Sequence, residues 1–316
     1  MSVGGQVSRN STTFVTGAGS GVGLAVVRAL SQAGQRVFAA ARRDGDLAML
    51  AELPGVTAVR LDLLDPEGGI AARDALAAAG IERLDGLVNS AGIGEIGHLA
   101  AWTDADVRRT FEANVFGLMR ITRELLPRLL AAKGRVVNIG SMGGQITHPM
   151  YGPYTMSKHA LEAYSECLRQ EGAPHGLKVS IVQPGAVATR IGASANAANA
   201  ERLRATPPPF DEAARAALQA MAAPPSPRAD DGEPESATHR RPAPPEHVAE
   251  VVLQALTAPA PLARYLVGTR WEGERVLRAL TERLIDAAVS PGQQLAREDL
   301  LAWVDTAWGE RFGETG

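Results

Sequence analysis

The chain has 316 residues, 45% of them hydrophobic and 21% charged, with a formal net charge of -3. That is enough apolar material for a large buried core, and it excludes a disordered chain, a polyanion-seeking basic protein and a disulfide-built scaffold, since Cys167 has no second cysteine to pair with. No apolar run approaches the roughly 18–20 residues of a membrane helix, and Met1–Thr13 lacks a signal-peptide core, so a cytoplasmic protein without an integral membrane segment or a nucleic-acid partner is expected.

Short apolar runs alternate with helical patterns over the first two hundred residues. Strands are predicted at Thr12–Thr16, Arg36–Ala40, Val56–Leu61, Leu84–Asn89, Arg135–Ile139, Leu177–Val182 and Arg264–Val267. Each is apolar on both faces and separated from the next by a helix, the pattern of parallel strands covered on both sides. The expected fold is α/β: a doubly wound, parallel Rossmann sheet of about seven strands with a C-terminal helical extension.

One helix runs from about Thr103 to Ala131, with Thr103 as N-cap and Asp104 and Asp106 in its first turn. Phe111, Val115, Leu118, Met119, Thr122, Leu125, Leu126 and Leu129 line one face, while Phe116 and Ile121 lie off it. A helix apolar on more than one stripe packs on more than one side, in a crowded core or against another subunit; a homo-oligomer, dimer or tetramer, is expected. After Ala205 the composition shifts. The reading is one domain over 1–316, with a substrate lid at 191–221, a mobile Pro/Ala-rich loop at 222–245, a helix from about Glu246 to Thr257 and an amphipathic helix at 291–312.

The first strand runs into Gly17, Gly19, Ser20, Gly21, Val22 and Gly23, and a helix follows. Glycines there let the backbone turn tightly and approach a pyrophosphate at a helix N-terminus, which points to a dinucleotide. The second strand ends Ala41-Arg42-Arg43. An acidic residue at that place would bond the ribose 2′-hydroxyl of NAD; alanine followed by Arg42 and Arg43 favours the 2′-phosphate of NADP, with NAD as the alternative.

Only three lysines occur, and one of them, Lys158, follows Tyr154 by four residues. A chance pairing of these types is expected about 0.04 times in such a chain. The two side chains share a helix face. A cation about 4 Å from a phenol, at an effective dielectric near 20, contributes about 4 kcal/mol and would lower the tyrosine by roughly three pKa units. Ser141 ends the fifth strand, thirteen residues upstream, where parallel sheets place their ligands. Asn114, inside the apolar helix, must bond the backbone or hold a water. No metal site is expected.

Together these features resemble the standard branch of the short-chain dehydrogenase/reductase superfamily, over about Thr13–Arg190. The resemblance implies a catalytic set of Asn114, Ser141, Tyr154 and Lys158. In it Tyr154 exchanges the proton, Ser141 orients a carbonyl, Lys158 holds the nicotinamide ribose and Asn114 a relay water. It also implies cofactor contacts at Asp62 and Leu63, at Asn89, Ala91 and Gly92, and at Pro184, Gly185, Val187 and Thr189. The segments around Tyr154 and Val179–Gly185 are similar to the retinol and 17β-hydroxysteroid dehydrogenase-like group. From this follows the expected activity: NADP-dependent hydride transfer between nicotinamide and an apolar secondary alcohol or ketone, with Met142, Tyr151 and Phe210 as substrate contacts. The alternatives are a 3-oxoacyl-thioester reductase and a non-catalytic dinucleotide sensor.

Overall fold

A computed structural model describes residues 11–189, 195–222, 235–236 and 241–313. Seven strands form one parallel sheet in the order β3-β2-β1-β4-β5-β6-β7: β1 Thr12–Thr16, β2 Arg36–Ala41, β3 Val56–Arg60, β4 Gly86–Asn89, β5 Arg135–Ile139, β6 Lys178–Pro184 and β7 Arg264–Val267. The seven strands and their parallel pairing are those the sequence predicts, with ends differing by one or two residues.

Neighbouring strand residues feed opposite layers. Val15, Val37, Ala39, Val88 and Val137 pack under α1 (Gly21–Gln32) and α9 (Pro245–Thr257). Phe14, Phe38, Ala40, Leu87 and Val136 pack with α3 (Gly68–Ala78) and α5 (Gly117–Ala132). That alternation is why each strand reads as apolar throughout. The remaining helices of the sheet unit are α2 (Asp44–Ala51), α4 (Asp104–Phe111), α6 (Gly152–Gly172), α7 (Asn196–Arg204) and α8 (Asp211–Ala222).

The helix predicted over 103–131 is not uniform. Thr103 caps α4 by accepting the Asp106 N–H, as its position implies, but a π-helical turn, Glu112–Phe116, separates α4 from α5. Asn114 sits in this turn. Its backbone advances one residue out of the 3.6-residue phase, so the apolar face read from the sequence breaks there. Phe116 and Met119 are left exposed while Leu118, Ile121, Leu125 and Leu129 are buried.

Where the sequence reading has one domain over 1–316, the chain divides into two compact units, 1–271 and 272–316. The second holds most of α10 (Arg270–Val289) and all of α11 (Arg297–Phe312), and it contributes no strand to the sheet. α11 replaces the helix expected over 291–312. Leu301, Val304, Trp308 and Phe312 are exposed on it, and none of its residues is buried. The lid expected at 191–221 folds from residue 195 onward as α7 and α8; 191–194 lie outside the described residues. So does most of the 222–245 loop, whose described end returns to the sheet through Ala243, bonded to Ala186 and Ala188. No helix among the described residues is long and apolar enough to cross a membrane.

Candidate active site

The strand order reverses between β1 and β4, and the site grows from the carboxyl ends of these two strands. Gly17 has φ +67°, and a Cβ on it would lie 2.7 Å from the Ala91 Cα. A Cβ on Gly23 would overlap the Gly17 carbonyl oxygen, and Gly21 has φ +55° with Thr189 beside it. Thr16 fastens the loop across the switch point, its hydroxyl accepting the N–H groups of Ser90 and Ala91 at 3.1 and 3.2 Å. Ser20 precedes α1 without a side-chain cap, and no acidic residue stands in the helix's first turn. The N-terminal N–H groups of α1 thus meet no competing anion within their own turn, which fits a pyrophosphate.

At the end of β2, Arg42 and Arg43 are exposed. Arg60 donates to the Arg42 carbonyl and pairs with Asp44, which leaves the Arg42 and Arg43 guanidinium groups clear of that ion pair. Asp46 lies against Gly19, close enough that a Cβ there would sit 2.6 Å from its Oδ2. Asp62 turns the chain after β3, accepting the Leu64 N–H at 3.0 Å, whereas the Leu63 side chain points into the core and its carbonyl accepts from Arg120 at 2.9 Å. Asn89 also turns inward. Its Nδ2 donates to Thr122 and to Asn138, and Asn138 donates in turn to Ser165, tying β4, β5, α5 and α6 together under the site.

At the catalytic end Asn114 and Lys158 are buried, and Tyr154 and Ser141 are half-buried. Pro153 opens α6 near its first position, where a missing N–H costs nothing, and Leu161 and Leu168 dock the helix. In its first turn the Tyr154 ring lies beside Ser141, both lining Gly143, and the Ser141 hydroxyl accepts the Gly143 N–H at 3.0 Å. Lys158 donates to the Ile139 carbonyl at 2.9 Å, with its Nζ 5.8 Å from the Tyr154 ring centroid. Asn114 grips Ile93 in both directions: its Oδ1 accepts the Ile93 N–H at 2.8 Å and its Nδ2 donates to the Ile93 carbonyl at 2.9 Å. It also donates to Ser157, whose hydroxyl donates to the Tyr154 carbonyl. Of the two fates the sequence leaves open for this amide, its side chain takes the backbone.

The electrostatics correct the sequence argument. Burial pushes the Tyr154 phenol up, opposed by the Ser141 hydroxyl and reinforced by Tyr151; the lowering expected from Lys158 is not found. Burial lowers Lys158 to about 8, with Glu162 acting in the opposite direction. The ammonium is spent on the Ile139 carbonyl rather than set against the phenolic oxygen, and desolvation dominates both groups. Tyr154 is therefore held as a proton donor at neutral pH.

On the flank, Pro184 ends β6 and its carbonyl lies 3.5 Å from the Ser141 hydroxyl; Gly185 donates to Val267, Val187 bridges to Ala243, and Thr189 abuts Gly21. Among the expected substrate contacts, Tyr151 is 43% exposed with its ring edge-on to Tyr154. Phe210 stacks on His98 at 4.0 Å, and Met142 is buried, so little of it can meet a ligand. Sequence reasoning missed the loop Ile93–Trp102, which has no motif or period yet touches Asn114, Met150, Gly152 and α7. Among the described residues no cluster could hold a metal.

Known proteins resemble this chain in sequence and in fold. The short chain dehydrogenase family profile matches residues 11–200. An uncharacterized oxidoreductase of Escherichia coli, YbbO, is 36% identical over 199 residues, covering 63% of this chain and 73% of its own. A short-chain dehydrogenase from Streptomyces avermitilis is similar in structure, with a TM-score of 0.67 and 32% identity over 96% of this chain and 100% of that one. An actinorhodin polyketide ketoreductase solved with NADPH matches with a TM-score of 0.63 and 30% identity, over 82% of this chain and 96% of its own. A glycine loop at the switch point, a tyrosine beside a serine and a matched family profile lead to one assignment: the chain belongs to the short-chain dehydrogenase family, NAD(P)-dependent enzymes that act on CH–OH groups.

Proposed function

We propose that the protein is an NADP-dependent oxidoreductase that interconverts a bulky, apolar ketone and its secondary alcohol. The observation that carries the reading is the half-buried Tyr154 beside Ser141: a phenol kept protonated, next to a hydroxyl that can accept or donate. In reduction, Ser141 donates to the ketone oxygen and holds it at the phenol. Tyr154 gives that oxygen its proton as the carbonyl carbon is reduced, and oxidation is the reverse. The bound dinucleotide supplies or takes the hydride. Lys158, anchored on the Ile139 carbonyl, holds the nicotinamide ribose, and Asn114 fixes Ile93 and the start of α6.

Preference for NADP is supported by Ala41 in the place of a ribose-binding acid, by the exposed Arg42 and Arg43, and by the NADPH of the ketoreductase relative. A bulky apolar substrate is supported by Tyr151 and Phe210, aromatic and half-exposed. The exposed Phe116 and Met119 on the α5 side support a homo-oligomer, and the absence of a membrane-crossing helix among the described residues is consistent with a cytoplasmic enzyme. A second reading, reduction of a 3-oxoacyl thioester, is favoured by the likeness to a polyketide ketoreductase.

The test is NADPH oxidation, followed by absorbance, against steroids, retinoids, bicyclic and small ketones and a 3-oxoacyl thioester. Turnover of bulky ketones supports the proposal. Turnover of the thioester alone favours the second reading, and binding without any turnover favours the sensor.

A further inference from the structure

Beside the catalytic end lies a buried ionic knot that the chemistry above does not use. Glu95, in the loop after β4, is 2% exposed, and the Arg202 side chain of α7 is 3% exposed. Arg202 donates to Glu95 Oε2 at 3.0 Å and to the Ile96 carbonyl at 2.9 Å, and its guanidinium lies 3.6 Å from the Trp102 ring centroid. Arg109 of α4 reaches the same carboxylate at 2.7 Å from the other side, and Asp106 stands 3.6 Å from Arg202. Asn199, also on α7, accepts the Ile96 N–H at 3.0 Å. Gly97 completes the fit, since a Cβ there would strike the Arg202 Cδ. Charges this deep tolerate few geometries, because leaving either one unpaired is strongly unfavourable.

The same loop holds the reacting end in place. Ile93 is the residue Asn114 clamps, Gly97 donates to the Met150 carbonyl at 2.8 Å, and Leu99 packs on Gly152 at the start of α6. Met150 has φ +71°, a left-handed conformation that a side-chain-bearing residue adopts only under constraint, and it directly precedes Tyr151. The loop therefore joins three things that must agree: the asparagine, the helix carrying Tyr154 and the first helix after the cofactor-flanking segment.

We infer that Glu95 and Arg202 are positioning residues, which fix α7 as an immobile wall of the substrate site and hold Ile93 and Met150 in register with Tyr154. The inference rests on the proposed ketone chemistry for its substrate. It divides the expected lid in two: α7 is fastened, and movement is left to Phe210 and α8, where the Phe210–His98 stack is the contact to break.

The test uses the full chain with NADPH, 2-tetralone as bulky probe and cyclohexanone as small one, and hydrogen exchange over 93–102 and 195–204. Arg202→Met leaves Glu95 with Arg109 alone, and Glu95→Gln leaves the buried Arg202 with only Asp106 at 3.6 Å, so each single variant should lower the melting temperature. The double variant, with neither charge, should regain most of the melting temperature and separate stability from positioning. It should still exchange at least about tenfold faster in both segments. Its KM for 2-tetralone should rise about tenfold, with a smaller change in kcat and the KM for NADPH within about twofold. Arg202→Lys, which keeps the charge, should restore part of the slow exchange. Wild-type exchange in the double variant, or faster exchange with an unchanged 2-tetralone KM, overturns the inference. A wild-type protein inert toward both ketones overturns the proposed function instead, and the exchange of α7 then still decides whether the pair holds that helix.

Discussion

The two ends of the site are built differently. Around Tyr154 the polar side chains are buried or half-buried and bonded within the protein: Asn114 on Ile93 and Ser157, Lys158 on Ile139, Ser141 on Gly143. Past β2, Arg42 and Arg43 stand in solvent, and the nearest ion pair, Arg60–Asp44, is exposed. The buried end is preorganised, so a change there should be read in the rate. The exposed end takes its order from the ligand, so a change there should be read in which cofactor is chosen.

The sharpest way to break this contrast is Tyr154→Phe, which keeps the ring and removes the proton. Ketone reduction should fall by about 10²–10⁴, while NADPH binding, followed by fluorescence titration, stays within a few-fold. Near-normal turnover would end the assignment. Gly23→Ala acts at the pivot between the two ends. Its methyl group overlaps the Gly17 carbonyl, so the loop must open and both cofactors should bind more weakly, by about 3 kcal/mol or roughly a hundredfold. Arg42→Ala should instead separate the cofactors, losing about tenfold to a hundredfold for NADPH and little for NADH in parallel titrations. Equal losses would show that Arg42 does not read the 2′-phosphate.

A pH profile probes the buried end more gently. Lys158 is charged below about 8 and neutral above it, while Tyr154, pushed up by burial, stays protonated through that range. Reduction should therefore decline as pH rises through about 8. Glu162 faces Lys158 one turn along α6 and is itself held by Gln183 and Arg264. Glu162→Gln withdraws support for the ammonium, and the alkaline limb should move to lower pH. A limb that moves up, or stays, would mean another group controls it. The smallest effect belongs to Tyr151→Phe: a few-fold rise in KM for bulky ketones with kcat unchanged.

What the sequence makes legible is what repeats or carries rare residues. Strands such as Thr12–Thr16 and Arg135–Ile139 read correctly because both of their faces are covered, and the glycine loop and the Tyr154–Lys158 spacing stand out against a chain with few lysines. Other features leave no such trace. Arg202 looks like any arginine on an alanine-rich helix; only the fold brings Glu95 across to it, 107 positions away. Loop Ile93–Trp102 works through backbone groups of Ile93, Ile96 and Gly97 and through scattered side chains such as Glu95 and Trp102, none of which forms a period or a motif. The direction of the Tyr154 shift also escapes, since spacing says that Lys158 is near but not that its ammonium faces the Ile139 carbonyl in a dry site.

The π-turn at Glu112–Phe116 has a consequence for how this helix can change. An extra residue in a helix rotates everything beyond it by about 100°. Upstream and downstream halves are thus indexed to two different neighbours: Asn114 to Ile93 and α6, and Leu118, Ile121 and Leu125 to the interior. The two registers can be tuned separately by substitution, but they are locked together against insertion and deletion. Loss of one residue between Phe111 and Gly117 would straighten the helix, and Asn114 and the α5 apolar face could not both keep their places. The span is therefore fixed in count by two neighbours at once, whatever residues flank Asn114 within it.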